Sequence, residues 1–303
     1  MKLVLAVAVM LLGTGAGQQA QWREAAPMPS PRSEVAAALV NGEIALVGGF
    51  REGGANSARV DAFSPSENRW RRLPDLPIAV DHAAASAFRG RLYVAGGYRF
   101  DRSRSDEAFV LANGRWSRLP RMPFARAAAG AAFSGGRLYV MGGVAPFGLA
   151  RSALEFDPGK RRWRTISGPT PREHLGVTAA RGRVFVVAGR KAGFDTNLDL
   201  VEAYSPKTRR WTHLPSVPGK RGGTAVTATG RYVVSAGGEA QEGTIKEVYA
   251  LDLKTNRWRR LPDLPTPRHG LGVVYAHGRV YVVAGGPTPG LSVSPANEFL
   301  PFG

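Results

Sequence analysis

Acidic and imidazole side chains recur at matching places along the chain. Asp81-His82, Arg172-Glu173-His174 and Arg268-His269 each stand a few residues after a proline, and Glu34 holds the corresponding place after Pro31. A carboxylate beside an imidazole is a pairing suited to moving protons. Aligned on the preceding prolines, Arg32, Arg126, Arg172, Arg221 and Arg268 share one register, which Val80 breaks. If the loops carrying them face one another, five guanidiniums would suit a carboxylate, sulfate or phosphate, which Arg grips with two parallel hydrogen bonds. Glu173, His174, Asp81 and His82 are therefore candidates for acid–base work. The five arginines, with Glu34 and His269, are candidates for holding an anionic ligand. Tyr98, Arg99, Arg190 and Glu239 follow glycine-rich strand ends and would line the same place. Nearby cations would keep the carboxylates ionised and lower the pKa of any His among them. A second reading of the arginine register stays open: each guanidinium braces its own unit against a local carbonyl or carboxylate, as recurrent positions do.

Several chemistries are excluded or lack their signatures. The chain has no Cys, which rules out disulfides, thiolate metal sites and a Cys nucleophile. His82, His174, His213, His269 and His277 form no short metal-ligand motif, so neither a metal nor any other cofactor is expected. There is no Gly-x-Ser-x-Gly turn and no phosphate-binding glycine loop.

The elements that position these residues follow a fixed period. The six tryptophans, Trp22, Trp70, Trp116, Trp163, Trp211 and Trp258, are separated by 46 to 48 residues. Apolar runs ending in a glycine pair keep the same beat at Gly48-Gly49, Gly96-Gly97, Gly142-Gly143, Gly237-Gly238 and Gly285-Gly286. A degenerate copy stands at Ala188-Gly189. Two independent markers in six copies define a repeat protein. Within one unit, Ala83 to Phe88, Leu92 to Ala95, Glu107 to Leu111 and a stretch around Trp116 read as strands. Arg89-Gly90 and Asn113-Gly114 read as tight turns between them. Four antiparallel strands in about 47 residues make one blade of a β-propeller. Trp22 has a fourth-strand signature with no strands before it, and Ala296 to Pro301 resembles a third strand with no Trp after it. The expected fold is all-β: residues 21–303 form a single six-bladed propeller, its ring closed by an N-terminal fourth strand that completes the last blade.

The glycine pairs, the aromatic residue shortly before each Trp and the recurring Leu-Pro-x-Leu/Met-Pro at Leu73 to Pro77, Leu119 to Pro123 and Leu261 to Pro265 resemble the kelch repeat. The resemblance implies the propeller fold, and it implies that the loops leading into each first strand contact ligands. It does not fix an activity, since propellers host unrelated ones. Two readings follow. One is a non-catalytic binding module that recognises an anionic ligand, an acidic glycan or a protein segment, at an arginine-rich channel mouth. The other is an enzyme similar to the exported kelch sialic-acid mutarotases, with Arg on the sugar carboxylate and Glu173 or His174 shuttling the proton. A copper radical oxidase like galactose oxidase is excluded, because that family needs a Cys cross-linked to Tyr and a Tyr-His pair, and this chain has neither.

Met1-Lys2, the apolar run Leu3 to Leu12 and the small residues that follow read as a signal peptide over 1–16, with cleavage as late as Ala20. Export to the periplasm or medium is the expectation, and no segment is long enough to span a membrane. The net charge is +18. Much of the excess follows the repeat at the outer strands, where charge discourages edge-to-edge association. No specific nucleic-acid partner is expected, and the closed ring predicts a monomer.

Overall fold

The computed structural model describes residues 20–303, so the segment read as a signal peptide, 1–16, lies outside the described residues. Six antiparallel four-stranded sheets make up the fold. Blade 2 shows the plan. Its strands Ala84–Phe88, Arg91–Ala95, Ala108–Ala112 and Arg115–Arg118 pair in chain order. The turns Arg89-Gly90 and Asn113-Gly114 have positive φ at both positions, the geometry that matches the right-handed twist of two-residue hairpins. Each second strand is buried on both faces, as in Ile44 to Val47 and Val184 to Val187, because it lies between two neighbouring blades. That double burial explains the continuous apolar runs. First strands lie innermost and are built of small residues. On Gly130 a Cβ would fall 2.4 Å from Cγ2 of Val177 in the next blade.

The core is divided into six apolar clusters, one between each pair of adjacent blades and the last joining blade 6 to blade 1. Two hydrogen-bond rings stitch the same interfaces. Each Trp indole donates to a backbone carbonyl of the preceding blade: Trp70 to Ala26, Trp116 to Pro74, Trp163 to Pro120, Trp211 to Ser167, Trp258 to Pro215 and Trp22 to Pro262. In the other direction the second residue of each glycine pair donates its N–H to the carbonyl at the arginine register of the next blade: Gly49 to Val80, Gly97 to Arg126, Gly143 to Arg172, Gly189 to Arg221, Gly238 to Arg268 and Gly285 to Arg32. The close approach explains the glycines, since a Cβ on Gly96 would lie 2.2 Å from the Arg126 carbonyl oxygen.

Ring closure is as the sequence predicts. Arg23–Glu24 pairs with Asn297–Pro301 and completes blade 6. One register shifts. The sixth left-handed pair is Ala284-Gly285 (φ 59° and 95°), not Gly285-Gly286, and it is Gly285 that donates across the closure. Among the described residues, no helix is long and apolar enough to cross a membrane.

Candidate functional site

The loop leading into each first strand ends in a left-handed residue: Glu34, His82, Ala128, His174, Gly223 and Gly270, with φ between 50° and 63°. Outside glycine this conformation costs on the order of 1–3 kcal/mol and persists only where the surroundings impose it. Here a collar of inter-blade hydrogen bonds imposes it. His82 N–H donates to the Glu34 carbonyl, Ala128 to His82, His174 to Ala128, Gly223 to His174 and Gly270 to Gly223, and Val35 closes the circle onto Gly270. Three of the six collar positions carry polar side chains and three carry almost none. The side chains of Glu34, His82 and His174 therefore meet at the channel mouth with room beside them.

The contacts there are short. His82 Nε2 lies 2.9 Å from His174 Nε2 and 3.1 Å from Glu34 Oε2. The opposite nitrogen of each imidazole faces a carboxylate: His82 Nδ1 contacts Asp81, and His174 Nδ1 is 3.2 Å from Glu173 Oε1. Glu34 Oε1 is 3.1 Å from His269 Nδ1, whose Nε2 faces the Thr288 carbonyl at 3.1 Å. Arg190 bonds Glu239 at 2.8 Å and lies 3.5 Å from Glu173. All these groups except Asp81 and Thr288 line one cleft of about 550 Å³, together with Phe50, Tyr98, Arg102, Phe194 and Leu291.

Burial opposes charge throughout the cluster, and the neighbours decide the outcome. For His82 burial acts downward, yet the carboxylates of Glu34 and Asp81 outweigh it and the pKa rises. His269 rises as well, its hydrogen bond to Glu34 overcoming burial. His174 falls, through burial first and the neighbouring His82 charge, against the pull of Glu173. Glu34 and Glu173 fall despite burial, held ionised by the imidazoles around them. The expectation that nearby cations would lower every His here is corrected for His82 and His269, because carboxylates rather than guanidiniums surround them.

The arginine register is the larger correction. Arg32, Arg126, Arg172, Arg221 and Arg268 are at most 2% exposed, the largest fully buried side chains among the described residues. They turn back into their own blades instead of lining the mouth. Arg32 bonds Asp61 and the carbonyls of Gly48 and Arg59. Arg172 bonds Glu202 and the carbonyls of Ala188, Thr170 and Val186. Arg268 bonds Glu298 with the carbonyls of Thr266 and Val282, while Arg126 reaches the Ser152 carbonyl and Arg221 the carbonyls of Pro218, Gly219, Gly237 and Glu247. Loop carbonyls left unpaired inside a blade need donors, and a five-donor fork supplies them. The bracing reading is the one realised. Burial lowers the guanidiniums of Arg32, Arg126 and Arg221 to about 10, so all stay charged at neutral pH. Arg99 likewise leaves the mouth and bonds the buried Glu107.

The structure thus brings Glu34, Asp81, His82, Tyr98, Glu173, His174, Arg190, Glu239 and His269 together. Missed by sequence reasoning is Arg102, which stacks 4.2 Å over the Tyr98 ring and bonds Asp81 at 3.0 Å. It lies in the charged run Asp101 to Asp106, where residue type alone does not say which side chain folds inward.

A six-bladed propeller with glycine-paired strands and a loop-built axial cleft defines the class of protein. The kelch motif matches residues 31–77, 81–123, 171–218 and 220–265, and the chain belongs to the kelch-repeat family, whose members typically mediate protein interaction. It is 26% identical over 296 residues to the kelch-like protein terF of Aspergillus terreus, covering 90% of this chain and 54% of that protein. Kelch-like protein 35 of Mus musculus is 28% identical over 170 residues, 56% of this chain and 21% of that one. An F-box/kelch-repeat protein of Arabidopsis thaliana is 32% identical over 71 residues, 23% of this chain and 18% of its own length. The chain spans about half or less of the length of these relatives.

Proposed function

We propose that this protein is an exported, non-catalytic binding protein that seats a segment of a partner protein over the loop face around the mouth. The observation that carries the reading is the display of apolar side chains on that face. Phe147 is 100% exposed and Phe100 86%. Phe147 sits at the tip of a small hairpin, Val144–Ala145 with Gly148–Leu149, that follows the glycine pair of blade 3. Phe100 follows the glycine pair of blade 2 in the loop that carries Arg102. Aromatic knobs held in water on the face that carries the cleft supply the anchors that dominate protein–protein binding.

The preference for an anionic ligand rested on the five arginines, and their burial withdraws that support. The cations left at the cleft, Arg102 and Arg190, are already paired with Asp81 and with Glu239 and Glu173. The test is affinity capture from culture supernatant on immobilised protein. Proteins retained by the unmodified chain and lost on a folded Phe100→Ser/Phe147→Ser variant support the reading. Equal capture by both contradicts it. N-terminal sequencing of the protein recovered from the producing cells tests export, with a new terminus at Gly17 or Gln21 expected.

One observation favours the second reading, an acidic-sugar mutarotase: the Glu173–His174–His82 chain of acid and imidazoles opens onto a cleft large enough for a sugar. Anomer exchange of sialic and uronic acids followed by NMR decides it. Acceleration lost in Glu173→Gln would replace the binding reading with the enzymatic one.

A further inference from the structure

We infer that Glu34, His82 and His174 form a binding site for one divalent transition-metal ion of the zinc class on the propeller axis, with an open coordination position facing the cleft. One donor atom from each of the three residues lies within 4.8 Å of the others. The His82 and His174 Nε2 atoms are 2.9 Å apart. Two nitrogens on a tetrahedral zinc at 2.0–2.1 Å stand about 3.3 Å apart, so a few tenths of an ångström of side-chain movement admits the ion. The outer contacts are those a metal site requires. The Nδ1 of His82 bonds Asp81, which fixes its Nδ1–H tautomer; the Nδ1 of His174 lies 3.2 Å from Glu173 Oε1 but is not aligned to bond it, so the same small side-chain movement that admits the ion has to complete that outer contact.

Those outer carboxylates are themselves held, Asp81 by Asn56 and Arg102 and Glu173 by Arg190. Without an ion, the two Nε2 atoms are close enough to require a proton between them. A divalent cation takes the place of that proton. Two imidazoles and one carboxylate select zinc, cobalt, nickel or copper over magnesium or calcium. Three protein ligands leave a fourth position free, and all three ligand residues line the cleft.

The site is scattered over residues 34, 82 and 174, so no local spacing announces it. His269 with Glu239 offers a second triad around Glu34, but there the imidazole already bridges two carboxylates and a carbonyl, and Arg190 engages Glu239.

The test is calorimetric titration of the full chain, stripped with EDTA and exchanged into chelator-free buffer, with zinc chloride. Cobalt chloride followed by visible absorption reports the geometry. One zinc per chain and cobalt bands of four-coordinate intensity are expected. Both should be lost in His82→Asn and in His174→Asn, since Asn tolerates the left-handed backbone, and kept in His213→Asn/His277→Asn. Glu173→Gln should weaken zinc about tenfold or more. If an Asn variant does not fold, Glu34→Gln supplies the same comparison. Absence of saturable zinc binding would overturn the inference, as would binding that survives His82→Asn/His174→Asn or depends on His269 instead.

Discussion

His82 and His174 stand 92 residues apart in the chain and 2.9 Å apart at Nε2. They belong to blades 2 and 4, and they meet because the collar position between them in blade 3 is Ala128. Both hold the same left-handed backbone, φ 51° and 50°, so the fold presents them with matched geometry. Each imidazole is backed by the acidic residue just before it in the chain. The site is therefore the same dipeptide, acid then imidazole, used twice and aimed at one point.

That arrangement fixes a tautomer. In chelator-treated protein, nitrogen-15 NMR of the His side chains should show His174 as the Nδ1–H form, with its Nε2 accepting from His82. A proton on Nε2 of His174 in the majority species would contradict the geometry.

The buried arginines should behave as struts. Arg172→Met strands the Glu202 carboxylate in the interior and should lower stability by about 3–5 kcal/mol. Arg126 bonds the carbonyl and hydroxyl of Ser152, so Arg126→Met leaves no stranded charge and should lower it by about 1–3 kcal/mol. Urea denaturation measures both. No loss for Arg172→Met would contradict the bracing role.

The collar should respond to backbone preference. Ala128 is held at φ 50°, so Ala128→Gly should be neutral or stabilising by up to about 1 kcal/mol, with relief of strain set against the flexibility gained when unfolded. On Gly223 a Cβ would meet His269 Cβ at 3.3 Å, a tight contact on a left-handed backbone, so Gly223→Ala should lower stability by about 1–2 kcal/mol or somewhat more. Thermal unfolding checks both: Gly223→Ala should melt lower than the unmodified chain and Ala128→Gly should not.

Closure through the N-terminal strand makes Trp22 equivalent to its five counterparts. Trp22→Phe removes the indole bond to the Pro262 carbonyl, 2.8 Å long, and should lower stability by about 1 kcal/mol. Trp116→Phe loses the corresponding bond to Pro74 and should match it. A neutral Trp22→Phe would mean that the ring does not depend on this strand.

Much of this architecture was legible because it repeats. Trp, glycine pair and apolar run each mark a contact that every blade makes with its neighbour, so six weak signals add to one strong one. The same logic misleads at Arg32, Arg126, Arg172, Arg221 and Arg268. A side chain on a loop near the axis has two directions open to it, inward to the channel or back into its blade, and sequence alone does not choose. Recurrence in five blades marks a contact each blade makes with itself. The functional candidates are the departures, Glu34, His82 and His174, where other blades carry Ala or Gly. Their type was readable; their meeting was not, because it depends on a shared left-handed register and on the small residue between two of them. Arg102 lies in a loop without register and is placed by its stacking on Tyr98 and its ion pair with Asp81.

The most direct test of the mouth as the functional centre is a crystal of the full chain soaked in zinc, with diffraction recorded on both sides of the zinc absorption edge. One strong anomalous peak is expected on the propeller axis, within about 2.0–2.2 Å of His82 Nε2, His174 Nε2 and a Glu34 oxygen. Crystals whose axis shows no peak, or whose only peaks lie at exposed histidines such as His213 and His277, would contradict it.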